Sequence, residues 1–281
     1  IPFSPFSFGG GGWGADGGVA GVKPQRQRGF VRLRIAVPLG EIRAEQLAAL
    51  GKIAKRFGNG QVHFTRWQDV ELHWVPAFSA GAAIRALKRA NLSLKGEERE
   101  PEVLACPGTE FCTLAVTNSQ GAARDLIKHL RRKTESAAAE IDPEPLEVEK
   151  ASLLRSLTIH ISGCPNSCAK HQVADIGLAG TMTPVGETRR YSYQLYLGGK
   201  SFGVIRLGEM VRKGITEEMV VPTVEALLDI VQALRQPGER FQVAVDRVGL
   251  KEIVRLLDQR LAPLSPEAAE TVEMVPDLVD A

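Results

Sequence analysis

Four cysteines gathered into two short loops constrain this chain more than any other feature of its sequence. Cys106 and Cys112 have five residues between them in Ala105-Cys106-Pro107-Gly108-Thr109-Glu110-Phe111-Cys112. Cys164 and Cys168 have three between them in Gly163-Cys164-Pro165-Asn166-Ser167-Cys168. Each group opens on Cys-Pro, a turn-prone context. Four thiolates delivered by two loops are the ligand set of one cubane iron–sulfur cluster. Two disulfides are an alternative, but they suit a small secreted domain, and this chain has 281 residues and no export signal. Zinc is another, but structural zinc usually has two to four residues between paired cysteines, which the first gap fits poorly. Unrelated buried thiols would not be expected to cluster two by two beside Pro and Gly. The spacing favours the cluster over all three.

The totals set the remaining bounds. The length allows a substantial core and about two domains. A 44% hydrophobic and 24% charged composition is that of an ordinary soluble globular protein. A formal charge of +2 gives no argument for nucleic acid as a partner. No apolar run approaches the roughly 20 residues of a membrane-spanning helix, and no basic segment followed by an apolar stretch marks a secretory signal. The expected location is cytoplasmic. Residue 1 is Ile, so the numbering is expected to begin inside a longer product.

Along the chain, residues 1–22 are rich in Gly, Ser, Pro and Phe and read as a flexible arm. Val31, Leu33, Ile35 and Val37 alternate with polar or small residues as in a half-buried strand. Leu47, Leu50, Ile53, Ala54 and Phe57 recur at helical spacing up to Gly58-Asn59-Gly60. Val62 and Phe64 begin a second strand, and Val70, Leu72 and Trp74 continue the alternation after a break near Trp67-Gln68. A second amphipathic helix carries Ala80, Ala83, Ile84 and Leu87. Residues 25–92 thus read as a small sheet with helices on one face, an α+β unit.

The first cysteine loop follows a charged connection, and the phase of Ala115, Asn118, Ala122, Leu126 and Leu130 predicts that Cys112 opens a long helix. A thiolate there would gain from the positive end of the helix dipole. Arg124, Lys128, Arg131, Arg132 and Lys133 on that helix read first as a solvated face, with docking of an acidic electron donor as the functional alternative. Residues 135–149 read as a polar connection. Leu157, Ile159 and Ile161 form a strand pointing into the second cysteine loop, where Gly163 and Pro165 permit a sharp turn. Strands through Ile176 and Leu178 and through Tyr191, Tyr193, Leu195 and Leu197 come next. Helices follow over 217–235 and around Ile253, Leu256 and Leu257, and an acidic tail occupies 263–281. His63, His73 and His160 read as structural strand histidines, whereas His171, nearest the second loop, is a candidate to tune the site.

With these residues in view, the chain resembles the siroheme and iron–sulfur nitrite/sulfite reductase family. Gly163-Cys164-Pro165-Asn166-Ser167-Cys168 matches that family's most specific motif, and Ala105-Cys106 through Phe111-Cys112 matches its partner. Lys170-His171-Gln172-Val173-Ala174-Asp175-Ile176-Gly177-Leu178 is similar to the nitrite reductase branch. Lys23-Pro24-Gln25-Arg26-Gln27 with Gly29-Phe30 resembles the start of the small reductase domain, and Leu195-Tyr196-Leu197-Gly198-Gly199 one of its later turns. The likeness covers about 23–262. It implies an α+β chain: a small ferredoxin-like domain over 23–95, then a larger α/β siroheme and iron–sulfur domain over 96–262. It implies that Cys106, Cys112, Cys164 and Cys168 bind a [4Fe–4S] cluster, that Cys168 also bridges to the siroheme iron, and that Asn166 lies beside the macrocycle. The implied reaction is six-electron reduction of nitrite to ammonia, or of sulfite to sulfide, with a ferredoxin-like donor.

The chain also departs from that pattern. It corresponds to one half of the fused enzymes and resembles the C-terminal half. Where the first half carries Thr-x-Arg-Gln, this chain has Thr65-Arg66-Trp67-Gln68, and Arg66, one residue off, is expected on the opposite face of a strand. Ser156 and Thr158 stand near the positions of the family's lysine pair. No catalytic residue is assigned within this chain. Holding and protonating a small anionic substrate needs such cations. The arginine and lysines are therefore expected from a homologous first-half polypeptide or subunit, or from a first half outside this sequence, rather than from a symmetric homodimer. Two other readings are an electron-transfer subunit with a cluster and no siroheme, and a related enzyme oxidising a cobalamin precursor.

Overall fold

The computed structural model describes residues 20–95, 101–139, 153–154, 156–185, 188–201 and 205–262. The arm through residue 19 and the tail from residue 263 lie outside the described residues. The chain divides into two compact units, Ile1–Glu98 and Arg99–Ala281, each mixing helices with a sheet in an α+β arrangement.

In the first unit, strands β1 (Val22–Pro24), β2 (Phe30–Ile35), β3 (His63–Phe64) and β4 (Val70–Pro76) form an antiparallel sheet in the order β1-β2-β4-β3. Helices α1 (Ala44–Phe57) and α2 (Ala80–Arg89) bury Leu50, Ile53, Ala83 and Leu87 against Leu33, Ile35, Val70 and Leu72. These are the inward positions of the alternating and helical patterns. The alternation breaks at Trp74. Val31 pairs with Val75 but Leu33 pairs with Leu72, so β4 carries one extra residue there. This bulge reverses the phase of the strand. Trp74, at φ 58°, turns outward against the edge of Phe30, and Val75 takes the buried place.

Thr65-Arg66-Trp67-Gln68 is a turn rather than a strand, which corrects the expected placement of Arg66, because strand alternation does not operate there. The Gln68 N–H donates to the Thr65 carbonyl at 3.2 Å, and Thr65 Oγ1 accepts from the N–H groups of Trp67 and Asp69 at 3.2 and 3.1 Å. Trp67 is buried and the Arg66 guanidinium lies 4.4 Å over its ring. Asp69 closes the turn: its carboxylate takes Arg34 Nε at 2.7 Å and the Val37 N–H at 3.1 Å, with both charged side chains buried. Removing one partner of such a pair strands the other charge. Asp69→Ala is therefore expected to cost about 3–5 kcal/mol, read by urea denaturation, with Asp69→Asn losing less because it keeps part of the hydrogen bonding.

The second unit holds β5 (Glu102–Ala105), α3 (Gly108–Phe111), α4 (Ser119–Ala139), β6 (Thr158–Ser162), β7 (Ile176–Val185), β8 (Thr188–Leu197) and β9 (Glu209–Ile215), then α5 (Val220–Leu234), α6 (Phe241–Val248) and α7 (Leu250–Leu261). The sheet order is β5-β6-β7-β8-β9, with β5, β6 and β7 parallel and β8 and β9 antiparallel. Residues 159–162 of β6 are all buried, as in a strand covered on both faces. Helix α4 packs on β5, β6 and α5, and α5 packs on α6 and α7.

The long helix differs from its expected limits. It starts at Ser119 rather than Cys112 and runs on to Ala139, into the expected connection. Cys112 instead ends α3, and Asn118 caps α4 by accepting the Gly121 N–H on Oδ1 at 2.9 Å. Ala115 fell on the helical phase by coincidence. Strands β5 and β9 and helix α6 gave little sequence signal. β5 has four residues, α6 has eight, and β9 is largely exposed, so neither the short elements nor the exposed strand repeats an apolar period often enough to be read.

Candidate functional site

The two cysteine loops meet because β5 and β6 are parallel neighbours. Ala105 pairs with Ile161, and the Cys106 N–H donates to the Ile161 carbonyl at 3.1 Å. Both loops therefore leave the carboxyl ends of adjacent strands, the edge at which parallel sheets hold ligands. Gly163 locks them together. Its N–H donates to Cys106 Sγ at 3.0 Å, and its carbonyl accepts from Val116 and Thr117 N–H at 2.8 and 3.2 Å. A Cβ at this position would stand 3.1 Å from Ala115 Cβ, Gly108 Cα and the Thr117 carbonyl, so glycine permits the approach.

All four cysteines are free thiols, so the disulfide alternative does not describe this fold. Cys106 is buried and its sulfur lies 3.3 Å from Ser119 Oγ. Cys112 is partly exposed at the C-terminal end of α3, its N–H satisfied by the Gly108 carbonyl at 2.9 Å. The positive helix end expected beside Cys112 lies instead beside Cys106, through Ser119 in the first turn of α4. Cys164 is buried just past β6, and Cys168 is exposed in a turn closed by Lys170 N–H to the Ser167 carbonyl at 2.7 Å. Asn166 is exposed on the same loop. Among the described residues, no three His, Cys, Asp or Glu side chains gather closely enough to hold one metal ion. Each thiolate of a cubane binds its own iron, so its ligands stand further apart than those of a single ion.

Beneath the second loop, His171 Nδ1 lies 3.1 Å from Ser162 Oγ, with its ring 4.6 Å from that of Tyr196. His160 Nδ1 meets the Lys170 carbonyl at 3.1 Å. Burial lowers both imidazoles to about 4, so both are neutral near pH 7. Thr158, near the position of the family's lysine pair, donates N–H and Oγ1 to Asp175 Oδ2, each at 2.8 Å. Burial raises Asp175 to about 6, partly offset by those two bonds. Of the basic residues on α4, Arg124 is engaged in two bonds to Glu110 at 2.7 and 2.8 Å, and Lys133 pairs with Glu225. A cavity of about 420 Å³ lies behind the first cysteine loop, bounded by Thr117, Asn118, Met182, Tyr193 and Glu217. Ser119 is the site residue that the sequence reading missed. The capping pattern Thr117-Asn118-Ser119 ahead of Ala122 and Leu126 was the signal for it.

Residues 99–263 match the model of the nitrite and sulphite reductase 4Fe-4S domain. The chain belongs to the nitrite and sulphite reductase family. Residues 23–90 match the nitrite/sulfite reductase ferredoxin-like half domain. The chain is 28% identical over 226 residues to the chloroplastic ferredoxin–nitrite reductase of Spinacia oleracea, covering 78% of this chain and 34% of that one. It is 27% identical over 217 residues to sulfite reductase [ferredoxin] 2 of Mycolicibacterium paratuberculosis, covering 76% and 37%. Among solved structures, Mycobacterium tuberculosis NirA superimposes with a TM-score of 0.66 at 26% identity, covering 84% of this chain and 41% of that one. Dissimilatory sulfite reductase I shares the fold, with a TM-score of 0.60 at 14% identity over 81% of this chain and 69% of that one. The chain spans about a third of the length of the curated relatives it matches. Nitrite and sulphite reductases of this family use a [4Fe–4S] cluster and siroheme, and these are the cofactors of the domain. Four free thiols on two interlocked loops suit the cluster, and no helix among the described residues is long and apolar enough to cross a membrane.

The buried histidines give this unit a defined acid response. Unfolded histidines bind protons below about 6.5, whereas His160 and His171 resist them down to about 4 in the folded chain. The unfolded state thus binds more protons in that window, and stability falls as pH drops through it. Asp175 acts in the opposite sense between about 6 and its ordinary value of 3.8, because the folded state holds its proton more tightly. Two histidines outweigh one carboxyl, so the melting temperature of the cluster-free chain is expected to fall from pH 7 to pH 4.5. His160→Gln should flatten that slope, and Asp175→Asn should steepen it.

Proposed function

We propose that this chain is one half, or one subunit, of a siroheme and [4Fe–4S] reductase that carries out the six-electron reduction of nitrite to ammonia, or of sulfite to sulfide. The observation that carries the reading is the bond from Gly163 N–H to Cys106 Sγ at 3.0 Å, which joins the two loops that carry the four free thiols. In this reading Cys106, Cys112, Cys164 and Cys168 hold the cluster, Cys168 also ligates the siroheme iron, and Asn166 lies against the macrocycle. The graded burial of the thiols supports the division of roles. Cys106 and Cys164 are buried on the sheet side, Cys112 is partly exposed, and Cys168 is exposed where a second group has access. When bound, siroheme supplies an iron with an open face for the anion, and the cluster supplies electrons to it.

Among the described residues, those nearest the family's cationic positions orient the site and do not supply its positive charge. Holding a small anion and delivering protons to it requires positive or protonated groups over the reacting face. His160 and His171 are neutral near pH 7, and Thr158 is turned to Asp175. Arg66 is stacked on Trp67, and Arg34 is buried against Asp69. A homologous first-half polypeptide therefore supplies the substrate-facing arginine and lysines, and a ferredoxin-like protein is the electron donor. Nitrite is named first because the run from Cys168 to Asp175 is closer to the nitrite branch.

The full chain, reconstituted anaerobically with iron and sulfide, is expected to take up a [4Fe–4S] cluster. Serine at any one of the four cysteine positions should lower bound iron several-fold with the far-ultraviolet circular dichroism unchanged. With siroheme added, the chain alone should reduce nitrite and sulfite at a small fraction of the rate reached after mixing with a first-half polypeptide. Full rates from the chain alone would remove the need for a partner. Uptake of iron by all four serine variants would remove the ligand assignment.

A further inference from the structure

We infer that Ser119 is a positioning residue that sets the reduction potential of the cluster by hydrogen bonding to Cys106. The inference rests on the ligand assignment above and goes beyond it. Three features converge on this one sulfur. The Gly163 N–H donates to Cys106 Sγ at 3.0 Å. Ser119 Oγ lies 3.3 Å from the same atom. Ser119 also stands in the first turn of the 21-residue helix α4, whose positive end favours negative charge. Cys106 is buried whereas Cys112 and Cys168 are not, so the donors act on a sulfur with little competing water.

The Ser119 hydroxyl has one hydrogen and two acceptors within reach, Cys106 Sγ at 3.3 Å and the Cys106 carbonyl at 2.9 Å. In the free thiol the S–H donates to Ser119 Oγ while the hydroxyl donates to the carbonyl. Binding to iron removes the thiol proton and leaves the sulfur as an acceptor only. The hydroxyl hydrogen then turns toward the more negative atom, because a hydrogen bond to a charged acceptor is the stronger one. The surroundings hold the serine in place for this. Ser119 is fully buried, and Gly108, at φ 59°, would bring a Cβ within 2.5 Å of Ser119 Oγ if it carried one. Hydrogen bonds to cluster sulfurs stabilise the reduced, more negative state and raise the potential.

The test is an EPR-monitored redox titration of the reconstituted full chain against Ser119→Ala and Ser119→Cys. Iron and sulfide content are measured first, because they report the ligand assignment independently of the potential. At unchanged cluster content, Ser119→Ala is expected to shift the potential to more negative values. Ser119→Cys, which keeps the volume but donates weakly, should shift it less in the same direction. In D₂O, pulsed EPR of the reduced cluster should lose one exchangeable deuteron coupling in Ser119→Ala and retain the one from Gly163. Ser156→Ala, which removes only a bond to the Leu153 carbonyl, should leave the potential unmoved. A full cluster with an unshifted potential in both Ser119 variants overturns the inference and leaves the ligand assignment standing. Loss of the cluster from both variants also overturns it, because the serine would then serve assembly rather than tuning. A wild-type chain that takes up no cluster overturns both readings.

Discussion

The second unit is organised by the pairing of two parallel strands. β5 and β6 are short, and each brings little stability alone. Their register, Ala105 against Ile161, places Cys106 within reach of Gly163 and so converts two separate turns into one site. Hydrophobic burial along β6 and the packing of α4 across β5 and β6 hold that register. A slip of one residue would exchange the faces of the strand and send His160 and Ser162 where Ile159 and Ile161 now lie. The thiols would then leave the sheet in different directions.

Much of this was legible in the sequence, and what was not has particular causes. The cysteine loops announced themselves because Cys, Pro and Gly at such spacing have few alternative uses. The helices α1, α2 and α5 are readable because their apolar residues repeat over two or more turns. Trp74 was misplaced because a bulge leaves no mark on composition, only on phase, and a single inserted residue reverses everything after it. The start of α4 was misread because Ala115 fell on the helical period, while Asn118, the residue that ends the ambiguity, acts through one hydrogen bond. The break near Trp67-Gln68 is legible in the pattern, but strand alternation places Arg66 wrongly because its flanks are strands. The turn depends on Asp69 and Arg34, whose pairing across 35 positions no local pattern reveals.

Electrostatics divides the site's residues into those that shape it and those that would act in it. The groups nearest the second loop have been made inert. Two histidines are held neutral by burial, and Asp175 is tied up by Thr158. Arg124 is drawn off to Glu110 and Lys133 to Glu225. The basic helix that reads first as a solvated face keeps Arg124 and Lys133 at the surface, each paired with a carboxylate of a neighbouring segment. Helix α4 joins the first cysteine loop at one end and α5 further along, so it transmits the position of Ser119 to the body of the unit.

The bond between Gly163 and Cys106 spans 57 positions of the chain, so the site exists only where that long loop is closed. Contacts between distant residues form late, because the intervening segment must first surrender its freedom. Until that happens the buried thiols belong to two unrelated coils and present no common receptacle. The entropy of closing that loop is thus part of what the strand pairing must overcome to make one receptacle out of two turns.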